Sequence, residues 1–158
     1  MTINQNAIGA DFATATDVPL FALGTRVRGS GDEEWIYVHA SGAIASAGQV
    51  VVIDEDFEAA LLSTSNDAAG DRVGVVGGAF TDNYYGWAQI YGVASIQVGA
   101  NCAANVGINT TGTAGQLDDD GTGGSFDISG MILTTARGGT AGTAPGVLNY
   151  PAMAMAAN

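Results

Sequence analysis

Two residues of this chain have the chemistry for nucleophilic or proton-transfer catalysis: the single histidine, His39, and the single cysteine, Cys102. A Ser-His-Asp or Cys-His arrangement needs the imidazole as base, with a further group to orient it. His39 ends the apolar run Trp35-Ile36-Tyr37-Val38, where a surface or capped histidine is expected. Cys102 lies among Ala100, Asn101, Ala103 and Ala104. No basic neighbour in sequence lowers its pKa, so it reads as a small buried hydrophobe. No Gly-x-Ser-x-Gly elbow occurs.

Carboxylates offer a second kind of chemistry. Glycoside hydrolysis needs two of them facing each other across the scissile bond. Asp54, Glu55, Asp56 and Glu58 could supply such a pair, but acids that follow the strand-like run Val50-Val51-Val52-Ile53 read first as a solvated turn. The loop Asp118-Asp119-Asp120-Gly121-Thr122-Gly123 has the opening of a calcium loop. Counting from Asp118, however, position twelve is Ser129, where an EF-hand requires a bidentate Glu. There is no lysine for a P-loop or a Schiff base, and neither Gly77-Gly78 nor Gly138-Gly139 sits in a strand–loop–helix context. The expectation is therefore no catalytic residue, no metal and no cofactor.

The elements that would position any site are strands. Twenty-four glycines with abundant Ala, Ser and Thr do not suit a helical bundle. Leu20 to Leu23, Thr25 to Arg28 and Trp35 to Val38 flank the turn cluster Gly29-Ser30-Gly31-Asp32, which predicts a hairpin. Val50 to Ile53 predicts a strand buried on both faces. Val73 to Phe80, Trp87 to Tyr91, Ala94 to Val98, Val106 to Asn109, Ile128 to Thr134 and Val147 to Tyr150 continue the series. Leu61 to Gly70 reads as a polar loop, with Glu58 to Leu62 as one helical turn in the alternative, and Gly138 to Pro145 reads as flexible.

Strands at this spacing predict a barrel or sandwich. A weak internal duplication relates residues 35–91 to 95–150. Its matched pairs are Asp71–Val76 with Asp127–Ile132, and Gly86–Tyr91 with Gly146–Tyr150. The aromatic residues Trp35, Tyr37, Trp87 and Tyr91 read as core or interface anchors.

Charge narrows the partners. Sixteen carboxylates against four arginines give a net charge of −12. Binding to phosphate backbones or anionic lipid depends on basic residues, so neither a nucleic acid nor a membrane is an expected partner. The N-terminus lacks the basic and apolar regions of a secretory signal. No run reaches the 18 apolar residues of a membrane helix candidate.

Residues 1–19 read as an extended N-terminal arm that is disordered alone or ordered against a neighbour, with Ile3, Ile8 and Phe12 as its apolar contacts. Residues 20–151 form the β-rich domain, and 152–158 a tail carrying Met153 and Met155. The residues expected at an interface with a neighbour are Ile3, Ile8, Phe12, Val18, Leu20, Phe21, Met153 and Met155.

Four segments carry a family resemblance: Leu23-Gly24-Thr25-Arg26, Trp35 to Ile44, Tyr85 to Gly92, and Thr111 to Leu117. Together they resemble the small capsid decoration, or cement, proteins of tailed bacteriophages, and the likeness spans most of residues 20 to 151. It implies a small antiparallel β-barrel or β-tulip-like domain that forms a homotrimer. It further implies a protein made in the host cytoplasm that stabilises the virion from its outer surface by binding the major capsid protein, with the arm helping to hold the shell. On this expectation, deleting residues 1–18 leaves a folded core and weakens attachment. The chain departs from the pattern in its apolar C-terminal tail and its lack of lysine. The alternatives are a secreted calcium-dependent adhesion module built on Asp118 to Asp120, or a carboxylate-based hydrolase.

Overall fold

Val50-Val51-Val52-Ile53 sets the architecture, because consecutive side chains of a strand point to opposite faces and all four here are apolar. In the computed structural model, which describes residues 9–120 and 125–154, this run is strand β3 (Val50–Ile53). Val50 and Val52 enter one hydrophobic core, while Val51 and Ile53 enter another. The strand is a wall between two cores, as its doubly apolar pattern predicts.

The described residues are all-β with no helix, and ten strands join in one mixed sheet. The others are β1 (Arg26–Arg28), β2 (Glu34–Ala40), β4 (Glu58–Leu61), β5 (Arg72–Val76), β6 (Tyr85–Val98), β7 (Ile108–Thr110), β8 (Leu117–Asp118), β9 (Asp127–Leu133) and β10 (Gly142–Met153). Most pairings are antiparallel, but β2 with β4 and β6 with β8 run parallel. The sheet is therefore not the purely antiparallel one expected. Two long connections return the chain alongside strands that hairpins alone could not reach.

Following the hydrogen-bonded neighbours gives two circuits. One runs β2–β4–β3–β5–β6 and back to β2. The other runs β6–β8–β7–β9–β10 and back to β6. The first encloses Ile36, Val38, Val51, Ile53, Ala88 and Ile90. The second contributes Ile96, Val98, Ile108, Leu117, Leu133 and Leu148 to a core that also takes the outward valines of β3 and β5.

Strand β6 belongs to both circuits and runs through Gly92, where the sequence suggested two separate strands. Gly92 has φ of +92°, and a Cβ there would lie 3.1 Å from the carbonyl oxygen of Asp32. Only glycine allows the strand to turn this corner beside that backbone without strain. The segment Glu58 to Leu61 is a strand and not a helical turn, because Ala59 and Ala60 pair with Ile53 and Val52. Gly142 to Pro145 already belongs to β10, paired with β6 from Val98 to Ser95. The two matched sequence pairs fall on β5 with β9 and on β6 with β10.

The N-terminal segment departs from expectation. Residues 9–19 lie on the body instead of extending from it. Ala10 and Phe12 are buried, and Thr16 makes a two-bond antiparallel bridge with Tyr85. Phe12 stacks on Trp35 with ring centroids 4.6 Å apart and meets Trp87 edge-on at 5.6 Å. These rings, with Tyr37, make a third core on the outer face of β2 and β6. The glycine pair Gly77-Gly78 seats this segment, since a Cβ at either position would collide with the carbonyl oxygen of Phe12 or Ala13. Apolar rings exposed on one face of a sheet need a cover, and this segment supplies it. At the other end, Ala152 and Met153 pair with β9 instead of belonging to a tail.

Candidate functional site

Each candidate from the sequence has a definite place. His39 is the penultimate residue of β2, where the parallel pairing with β4 sets it opposite Glu58. Its Nδ1 lies 3.7 Å from Glu58 Oε1, and its ring leans on Tyr85 at 4.7 Å. This is the orienting half of a catalytic arrangement. Among the described residues no hydroxyl or thiol hydrogen-bonds the imidazole to complete it.

The acids after β3 shape a turn. Asp54 accepts hydrogen bonds on its carboxylate from the backbone N–H of Asp56 (3.0 Å) and of Glu58 (2.9 Å). Phe57 takes the left-handed conformation that reverses the chain there. Arg72 donates to the Asp54 carbonyl and lies over the Phe57 ring. Asp54 is thus committed to the backbone, Glu58 faces His39, and Glu55 and Asp56 are exposed.

Cys102 is fully buried, and its sulfur lies with carboxylate oxygens of Asp118 and Asp119 in a cluster whose atoms are within 4.8 Å of one another. Burial, reinforced by the charges of Asp119 and Asp118, pushes the thiol pKa up to about 12. Burial is also the first cause that raises the Asp118 carboxyl above its ordinary value. A thiol held protonated is a poor nucleophile. The calcium-loop reading loses its twelfth position as well, because Ser129 sits on β9 and donates to the carbonyl of Ala152. Gly121, Thr122 and Gly123 lie outside the described residues.

A cavity of about 430 Å³ opens where β6 passes between the circuits and is lined by Glu33, Trp35, Gly48, Gln89, Val93 and Pro145. Gln89 is buried and donates to the carbonyls of Tyr91 and Val93, while Glu33 accepts from the Trp35 indole at 3.3 Å. These polar groups are used in holding the β6 corner.

The expected interface residues divide. Phe12 and Met153 are buried within the chain, Phe12 in the aromatic core and Met153 in the core of the second circuit. Phe21 is half-buried and anchors on Tyr37 and Trp87, with ring centroids 5.3 and 5.2 Å away. Val18 and Leu20 point to solvent, 57% and 63% exposed, and Leu23, which sequence reasoning did not assign to the interface, is 38% exposed. The segment is fixed as well as exposed. Leu20 N–H donates to the Tyr37 hydroxyl at 3.0 Å, and the Thr16 hydroxyl donates to the Val18 carbonyl at 2.7 Å. Ile3, Ile8 and Met155 lie outside the described residues. The segment thus presents three exposed apolar side chains, Val18, Leu20 and Leu23, on a hydrogen-bonded backbone. No family model and no curated protein matches the chain.

Proposed function

We propose that this chain is a structural virion protein: it binds the outside of a tailed-phage capsid against the major capsid protein and stabilises the shell as a homotrimer. In this reading the two strand circuits are small barrels sharing β6, which makes a β-tulip-like body. The observation that carries the proposal is the ridge Val18–Leu20–Leu23, exposed apolar side chains held in place by Phe21 and by hydrogen bonds to Tyr37 and Thr16. Preordered apolar contacts bind without the ordering cost that a loose arm would incur.

A protein that binds only the assembled shell stabilises it by mass action. A net charge of −12 keeps a protein crowded at high copy number from clumping. The segments that carry the resemblance support the reading too, since two of them form β2 and the first part of β6, the frame on which the ridge is mounted.

The test is capsid occupancy. The double variant Val18→Asp/Leu20→Asp keeps the wild-type fold and loses at least tenfold in binding to expanded capsids, measured by co-sedimentation and densitometry. Equal occupancy of wild type and variant overturns the ridge as the attachment surface.

A further inference from the structure

Gln89 of β6 is paired with Trp35 of β2 on one side and with Val75 of β5 on the other. Directly paired residues of antiparallel strands share a face. All three side chains therefore meet on the outer face of the first circuit, where they line the cavity of about 430 Å³. Gln89 is 4% exposed. Its Nε2 serves the carbonyls of Tyr91 and Val93, and no described residue donates to its Oε1. That oxygen is not sealed from solvent, so it faces the cavity that Gln89 lines. Glu33, 8% exposed, brings a carboxylate to the same cavity. It accepts from the Trp35 indole at 3.3 Å, longer than the usual range of about 2.7–3.2 Å. Val75, Val93, Ala94 and Pro145 supply apolar surface around these two acceptors.

We propose that this cavity binds an alkylammonium group, with its N–H donors on the Glu33 carboxylate and Gln89 Oε1 and its methylene stem against the apolar wall. Glu33 is the one charged residue among those that line the cavity, so an anion is repelled and a cation drawn in. Bonds from a charged N–H to a carboxylate are roughly twice as strong as neutral ones. Calcium takes about six to eight oxygen ligands, which a wall of valine, alanine and proline does not supply. The volume lies within the roughly 300–1,000 Å³ of small-ligand pockets.

No basic side chain of the chain itself fills the site. There is no lysine, and the four arginines are engaged elsewhere: Arg26 with Glu34, Arg28 with Asp32, Arg72 with the Asp54 carbonyl, and Arg137 with the carbonyls of Thr140 and Thr143. The amine comes from outside, as a free small amine or as a lysine side chain of another protein, and the two present the same group. The cavity shares no lining residue with the Val18–Leu20 ridge and needs no capsid to be filled.

Titration of the ¹⁵N-labelled full chain with n-butylammonium chloride at constant ionic strength tests this by NMR. The Trp35 indole N–H, bonded to Glu33, should shift saturably with a Kd below about 20 mM. Glu33→Gln keeps the shape and removes the charge, and should weaken binding at least tenfold. Asp56→Asn removes the same charge from the exposed turn after β3 and should leave binding within twofold. n-Butanol, without the charge, and tetramethylammonium, without the N–H donors, should each bind at least tenfold more weakly. If Glu33→Gln lacks the wild-type circular dichroism and melt, Ala47→Trp, at an exposed position of the cavity wall, replaces it by filling the opening.

No saturable shift up to 100 mM overturns the proposal, as does binding that survives Glu33→Gln within threefold or is matched by n-butanol or tetramethylammonium. Nα-acetyl-lysine N-methylamide separates the two sources. Affinity within threefold of that for n-butylammonium assigns the pocket to a lysine side chain of a partner protein, and weaker binding of the capped lysine assigns it to a free amine.

Discussion

Replacing Phe12 with Ala tests whether the N-terminal segment is part of the fold or an appendage. The Phe12 ring is 3% exposed, stacked on Trp35 and edge-on to Trp87. Burying a phenylalanine side chain is worth about 1.5–3 kcal/mol. Two aromatic contacts add about 0.5–1.5 kcal/mol each. The sum matches the roughly 3–5 kcal/mol typical of Phe→Ala in a core. Undocking of residues 9–19 would cap the loss, since the segment can leave the body before the circuits unfold. The expected loss is therefore about 2–4 kcal/mol by urea unfolding, with Trp35 and Trp87 fluorescence shifted to the red in the folded baseline. Gly78→Ala acts on the same contact by displacing the Ala13 carbonyl, so the double variant should lose less than the sum of the singles. A loss below about 0.5 kcal/mol, the scale of surface substitutions, with unchanged fluorescence, would refute the reasoning.

Two further outcomes follow from the cluster of buried Cys102 with half-buried Asp118 and Asp119. Raising the Cys102 thiol from 9.0 to about 12 lowers its thiolate fraction at pH 8 roughly a thousandfold. Ellman's reagent should label the native protein at least that much more slowly than the urea-unfolded chain, and native labelling within tenfold of the unfolded rate would contradict the buried placement. The Asp118 carboxyl is raised in the fold, so its contribution to stability is present below the ordinary value of 3.8 and lost as pH rises through the folded pKa. Asp118→Asn should therefore raise Tm at pH 7 by about 1–3 °C and give no gain at pH 3. A lower Tm at pH 7 would show that the carboxylate is needed there.

Much of the scaffold was legible because strand patterning is local. The doubly apolar Val50–Ile53 and the Gly29–Asp32 hairpin each carry their signal in a few residues. What escaped depends on distant partners. Nothing near Glu58 announces a parallel neighbour in β2, and the small residues of Ala59-Ala60 suit a helix until Ile53 and Val52 pair with them. Phe12 looked like an arm residue because the rings it covers, Trp35 and Trp87, are remote in sequence. Leu20 and Phe21 sit next to each other in an apolar run, and only the fold shows that one points out and the other in. Gly77-Gly78 read merely as a failed phosphate loop, although the backbone they accommodate explains them fully.

The most direct test of the proposed function is the protein content of purified particles from any phage whose genome is found to encode the chain. Quantitative mass spectrometry should find the chain at a fixed ratio to the major capsid protein. Particles lacking it should release their genome at a lower temperature, with stability restored by adding the purified protein. Absence of the chain from the particles, or its occurrence in a genome with no capsid gene, would contradict the account.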